Sequence, residues 1–145
     1  MPYSFKDSLG FQVNKTANVM RSRFNYFLKS YGLTAEQYVI LKAINENPRV
    51  TPSQLAEILG KDKTTITRMI ETLVKNDFVQ RHRSTSDRRS HTLIYSPKAT
   101  AIMADIIPIT DEVIGKMRKK FTDQDLECFL SVLSELRSID CLEDL

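Results

Sequence analysis

Apolar residues recur at spacings of three or four along most of this chain, and that spacing breaks in one short stretch around a turn-rich segment. Phe5, Leu9, Val13, Ala17, Met20, Phe24, Phe27 and Tyr31 predict one long helix over residues 5–31, with Gly32 as its stop. Gly10 lies inside that span, where it costs about 1 kcal/mol relative to alanine and would permit close approach of another helix. Thr34-Ala35-Glu36-Gln37 has the form of a capping box. It opens a helix with Tyr38, Leu41 and Ile44 on one face, ending near Asn47-Pro48. Thr51, Pro52 and Gln54 repeat the signal with proline at the first helical position. The helix they open carries Leu55, Ala56, Ile58 and Leu59, and Gly60 ends it. Asp62 is a good N-cap for the next helix. There, Ile66, Met69, Ile70, Leu73 and Val74 fall at i, i+3, i+4, i+7 and i+8, a single apolar face. The opposite face holds Lys63, Thr64, Thr67, Arg68, Glu71, Thr72 and Lys75, with Thr65 near the boundary.

The turn-rich stretch follows. Phe78 to Arg83 reads as a strand, residues 84–90 as a turn, and His91 to Tyr95 as the return strand. Arg49-Val50 is a candidate third strand. Two short helices joined by a tight glycine turn, then a basic hairpin, predict a winged helix-turn-helix over residues 33–96. Ser96-Pro97 starts a further helix reaching toward Lys120, with Ile102, Ile106, Ile109, Val113 and Met117 along one side. Pro108 lies within it and should kink or split it. Thr122 opens the last helix, whose stripe is Leu126, Phe129, Leu130, Leu133 and Leu136. The predicted class is therefore mainly α with a small β-hairpin wing. The long helices of residues 1–32 and 97–145 carry stripes that no sheet covers, so they are expected to be dimerisation helices covered by a second copy.

Charge sharpens this picture. The net charge is only +3, but residues 61–91 hold eight Lys/Arg against four Asp/Glu, a net +4. Residues 121–145 hold seven acids and one arginine, a net −6. The positive charge sits on the second helix and hairpin, as a surface that reads double-stranded DNA requires. With 145 residues, 41% hydrophobic, the chain supports one compact domain or two small lobes. No apolar run approaches the roughly 18–20 residues of a membrane span, and the N-terminus lacks a signal-peptide pattern. The two cysteines, Cys128 and Cys141, are thirteen residues apart and not in a CxxC pair. Free thiols in a reducing cytoplasm fit best.

The candidate chemistry follows from those placements. Lys63, Thr64, Thr65, Thr67 and Arg68 occupy the first two turns of the second helix, where a major-groove helix meets base edges. Arginine suits guanine, and a threonine methyl suits the methyl of thymine. Arg88 and Arg89 at the hairpin tip suit the minor groove, with Asp87 fixing the direction of a nearby arginine. Ser53, Lys61, Lys75, Arg81 and Arg83 are candidate phosphate contacts. Phe24, Phe27, Tyr31 and Tyr38, with Met20 and Arg21 near them, suggest a pocket for a small aromatic or anionic effector; ordinary core packing accounts for the same spacing. His82 and His91 flank the hairpin and would face each other across it. Only Asp87 lies close to them, so no metal site is expected. No phosphate loop, nucleophile triad or carboxylate pair points to an enzyme or a cofactor.

Leu33-Thr34-Ala35-Glu36-Gln37-Tyr38, Leu55-Ala56, Thr64-Thr65-Ile66-Thr67-Arg68 and Asp87-Arg88-Arg89, in this order of elements, resemble the MarR family of transcription regulators. The resemblance covers nearly the whole chain. It implies a homodimeric winged-helix repressor or activator on a pseudo-palindromic operator, in many members released by a small ligand or oxidant. Asp87 and Arg89 hold the family's wing positions. The family's peroxide-sensing cysteine lies near the N-terminus, where this chain has none, so oxidant sensing is not expected. Two other readings predict different behaviour. A non-specific architectural DNA binder would show little sequence preference, and a winged helix that docks another protein would show no salt-dependent DNA binding.

Overall fold

The computed structural model describes residues 4–83 and 90–139. The predicted hairpin tip, with Asp87, Arg88 and Arg89, and also Cys141 lie outside the described residues. Among the described residues, six α-helices and one pair of strands follow in order: α1 (Leu9–Leu28), α2 (Ala35–Glu46), α3 (Pro52–Leu59), α4 (Lys63–Lys75), β1 (Val79–Arg83), β2 (His91–Tyr95), α5 (Pro97–Arg118) and α6 (Asp123–Ser138). The chain is mainly helical with a two-stranded antiparallel wing, as its periodicity predicts. It divides into two compact units, Met1–Ile102 and Met103–Leu145.

The first unit holds the winged helix. Both predicted capping boxes form. Thr34 accepts from the Gln37 amide while the Gln37 side chain accepts from the Thr34 amide, and Thr51 and Gln54 do the same. The single long helix expected over 5–31 is shorter. Phe5–Asp7 is a 3-10 turn and Ser8 is extended, so α1 begins only at Leu9. At the other end Lys29–Tyr31 tightens into a second 3-10 turn that closes on Gly32. Gly10 thus sits in a first turn, and the nearest atom to a Cβ placed there would be Ser8 Oγ of the same helix start at 3.9 Å. Leu28, Leu33, Ile40, Leu41, Ile44, Leu55, Ile66, Ile70, Leu73, Val79 and Leu93 form the core. Ile58 and Val74, counted in apolar stripes above, are exposed instead. Each sits at the edge of its stripe, where a short helix turns from its neighbours toward water.

The wing is bound to this core through its backbone. The Leu93 amide donates to the Val50 carbonyl at 2.9 Å, so Val50 does touch the hairpin. The sheet nevertheless has two strands, because Arg49 takes a left-handed φ of 63° that breaks extended pairing. The Tyr95 hydroxyl donates to the Leu41 carbonyl at 2.6 Å, and burial pushes its pKa up so that it stays a donor.

In the second unit α5 continues unbroken through Pro108, which therefore does not split it. Thr110 is buried and its hydroxyl donates to the Ile107 carbonyl at 2.9 Å. α6 starts on a third capping box, Thr122 with Asp125. No residue of α6 is buried.

Candidate nucleic-acid interface

α4 is held at both ends by side chains suited to the purpose. Gly60 ends α3 at φ 61°, the left-handed conformation that only glycine adopts without steric cost, and the Lys61 amide returns to the Ala56 carbonyl. Asp62 then caps α4, one carboxylate oxygen accepting from the Thr65 amide at 2.8 Å and the other from the Thr65 hydroxyl at 2.6 Å. These two bonds hold the Asp62 carboxyl below the usual carboxylate range. The far end has no glycine. Asp77 supplies the left-handed residue, at φ 60°, and the Phe78 amide donates to the Leu73 carbonyl at 2.8 Å. Buried Ser96 donates to the Asp77 carbonyl and accepts from the Ala99 amide, linking this end of α4 to the start of α5. Lys98 donates to the Asn76 carbonyl at 2.8 Å, placing a cation at the negative end of the α4 dipole, and lies 4.3 Å from the centre of the Phe78 ring.

With Ile66, Ile70 and Leu73 fully buried, the opposite side of α4 faces outward. Lys63, Thr64, Thr67 and Arg68 are exposed there, and with Glu71 they line one shallow concavity. No ion pair among the described residues engages Lys63, Arg68 or Glu71. Four of the five predicted recognition residues therefore share a surface. The fifth, Thr65, is half-buried, and its hydroxyl proton is committed to Asp62. Glu71 was outside the candidate set drawn from the sequence, although its position three residues beyond Arg68 on the same face was visible there.

The candidate phosphate contacts Ser53, Lys61, Lys75, Arg81 and Arg83 are all exposed. In the hairpin register Arg83 pairs with His91, Arg81 with Leu93 and His82 with Thr92. His82 and His91 therefore do not face each other: side chains alternate across a strand, and the one-residue offset puts them on opposite faces. No group of three metal-binding side chains occurs among the described residues.

The aromatic set packs largely on itself. The Phe24 ring meets Tyr38 edge-on at 4.9 Å and stacks on Phe27 at 6.1 Å, and Phe27 lies 5.8 Å from Tyr31. Met20 and Arg21 are exposed, Arg21 donating to Asn18. A nearby open concavity is lined by Ser22, Asn25, Tyr26, Lys29, Gly32, Leu33 and Thr34, and none of the six predicted pocket residues is among them. Cys128 is a free, exposed thiol.

Residues 33–91 match the sequence profile of the MarR family. Residues 33–91 form a MarR-family domain. The match runs from the Leu33 that precedes the first capping box to the first residue of β2. Similarity to MarR-type proteins extends further along the chain. The HTH-type transcriptional regulator YsmB of Bacillus subtilis is 26% identical over 121 residues, 83% of each chain. A MarR protein structure from Peptoclostridium difficile superposes with a TM-score of 0.79 at 25% identity, covering 94% of this chain and 90% of that one. The fold is also that of MepR of Staphylococcus aureus, solved as a complex with DNA, at a TM-score of 0.82 and 15% identity, covering 90% of this chain and 97% of MepR.

Proposed function

We propose that this chain is a sequence-specific, homodimeric DNA-binding transcription regulator that occupies a pseudo-palindromic operator. The observation that carries the reading is the outer face of α4. Its cations and hydroxyls are exposed and share one concavity, while three core residues and two capped ends fix the helix beneath them. Such a helix can enter a major groove without first breaking ion pairs. Arg68 would read guanine through O6 and N7, and Thr64 and Thr67 would meet neighbouring base edges. Ser53, Lys61, Lys75, Arg81 and Arg83 would hold the phosphates, and Asp87, Arg88 and Arg89 would bring the wing to the minor groove. MepR, which shares the fold, binds DNA.

The dimer reading rests on what the single chain leaves uncovered. Phe5, Leu9, Val13 and Met20 at its start, and Val113, Met117, Phe121, Phe129 and Leu130 toward its end, are large apolar residues in contact with water. Patches of this extent mark interaction surfaces. Residues 1–32 and 97–145 would then join two winged helices of residues 33–96 so that each recognition helix meets one half-site. Repression would follow from occupancy alone. A small aromatic or anionic effector that altered the spacing of the two recognition helices would release the complex. No helix among the described residues is long and apolar enough to cross a membrane.

The test selects bound fragments from a random duplex pool, then measures operator and scrambled-duplex affinity across a salt series. A palindromic preference with a steep salt slope supports the reading. Arg68→Ala should cost about 1–3 kcal/mol on the operator and relax one symmetric pair of positions. Arg89→Ala should weaken all duplexes evenly and make the slope shallower by roughly one unit per wing. Binding without sequence preference would favour an architectural role, and no salt-dependent binding would end the DNA reading.

A further inference from the structure

The outer face of α4 carries one feature that a purely attractive DNA surface does not need. Glu71 is the only acidic residue in the helix, is exposed, and lines the same concavity as Lys63, Thr64, Thr67 and Arg68. It stands three residues beyond Arg68, the spacing that puts two side chains one above the other on a helix. Among the described residues it forms no ion pair, not even with Lys75 four residues on. Its carboxylate is thus not consumed in supporting the helix.

Placed in a major groove, an unpaired carboxylate is repelled by the phosphates of every duplex. That repulsion is offset only where a base presents a hydrogen-bond donor. Resting on the DNA-binding reading above, we propose that Glu71 is a specificity-determining residue that accepts a hydrogen bond from cytosine N4 on the base pair next to the one Arg68 reads. Three residues of helix rise about 4.5 Å, close to one base-pair step of roughly 3.4 Å. Cytosine offers its amino group alone in the major groove. Adenine sets its amino group beside the N7 acceptor, which repels a carboxylate, and guanine and thymine offer acceptors. Glu71 therefore selects mainly by exclusion: it weakens every duplex that lacks the donor at that position.

The experiment repeats selection from the random pool with the parent protein, Glu71→Gln and Glu71→Ala, at one salt concentration. Glutamine keeps the size and the helix propensity of the side chain and removes the charge. The parent should select cytosine beside the arginine-read guanine in each half-site. Both variants should lose the cytosine preference at that symmetric pair alone, glutamine being able to take adenine through N6 and N7 instead, and should bind a scrambled duplex severalfold more tightly. The ratio of operator to scrambled affinity should then fall roughly tenfold, the order that one base contact supplies. Unchanged preference at every position in a parent that does select an operator would overturn the proposal and leave DNA binding intact. Loss of the guanine preference instead would also overturn it, making Glu71 a positioning residue for Arg68. A parent that selects nothing would overturn the DNA reading and this proposal together.

Discussion

α4 and α6 are written in nearly the same way and end in different environments. Both carry an apolar stripe at helical spacing, and both open on a threonine–aspartate pair three residues apart. The order of that pair is reversed: Asp62 caps α4 with Thr65 at the third position, whereas Thr122 caps α6 with Asp125 at the third position. In each, the threonine hydroxyl donates to the carboxylate, at 2.6 and 2.7 Å. Yet Ile66, Ile70 and Leu73 of α4 have no exposed surface, while Phe129 and Leu130 of α6 remain 58% and 57% exposed. The caps decide where a helix begins. Whether its stripe is covered depends on what the rest of the chain brings to it. α4 has α3 and β1 beside it, while α6 shows its stripe to water and, in the proposed dimer, to a second copy.

The largest expected effect tests the covered stripe. Leu73→Ala should destabilise the fold by about 2–5 kcal/mol, because the cavity lies in a packed core. Denaturant melts would show it, with a shift that does not depend on protein concentration. Were the loss under 1 kcal/mol, α4 would not be the rigid platform described here.

Next comes the uncovered stripe. Phe129→Asp combined with Leu130→Asp should lower the sedimenting mass from twice 16.7 kDa to 16.7 kDa and weaken operator binding well beyond tenfold, since two linked half-sites become independent. Helix content should persist. A variant that still sediments as a dimer would remove α6 from the interface.

A smaller effect distinguishes the two caps from their surroundings. Hydrogen bonds from Thr65 and Thr122 hold the Asp62 and Asp125 carboxyls below their ordinary value of 3.8. A lowered folded pKa means that the stabilisation is present above pH 3.8 and is lost as the pH falls below it through the folded value. Asp62→Asn with Asp125→Asn should therefore lower stability in the neutral region, leave it little changed at the lowest pH, and so flatten the acid limb of the stability curve below about pH 4. An acid limb of unchanged steepness would show that other carboxylates dominate it.

The smallest effect is expected at the rim of the covered stripe. Val74→Thr should change stability by no more than about 0.5 kcal/mol, because Val74 is exposed although it falls in the apolar period. A larger loss would mean that a partner covers Val74 in the assembled protein.

Local signals in the sequence carried most of the architecture. Thr34, Thr51 and Thr122 each placed a helix start, Gly32 and Gly60 each placed a stop, and His91 to Tyr95 were legible as the return strand after a turn-rich segment. These succeed because a cap or a turn is satisfied within four residues, by bonds the chain makes with itself. The outer face of α4 was legible for the same reason, since helical spacing assigns Lys63, Thr64, Thr67 and Arg68 to one side once the buried side is known. The end of α4 was not, because Asp77 takes the left-handed turn and Phe78, Ser96 and Lys98 secure it from up to 22 residues away. The break of the first helix at Ser8 was equally hidden, since the apolar period runs straight through it.

Periodicity by itself determined which residues of each helix share a face, and composition determined which face carries charge. Only the tertiary structure decided how far a stripe is covered: Ile58 and Val74 are exposed although they fit the period, and Ile40 and Ala43 are buried although Tyr38, Leu41 and Ile44 already fill the predicted face of α2. It also decided that His82 and His91 turn apart, and that Thr65 spends its hydroxyl on Asp62 while Glu71 lines the same concavity as Arg68 with no ion pair among the described residues. Burial and pairing belong to neighbours that meet only on folding, and a spacing rule holds no information about what arrives from the other side.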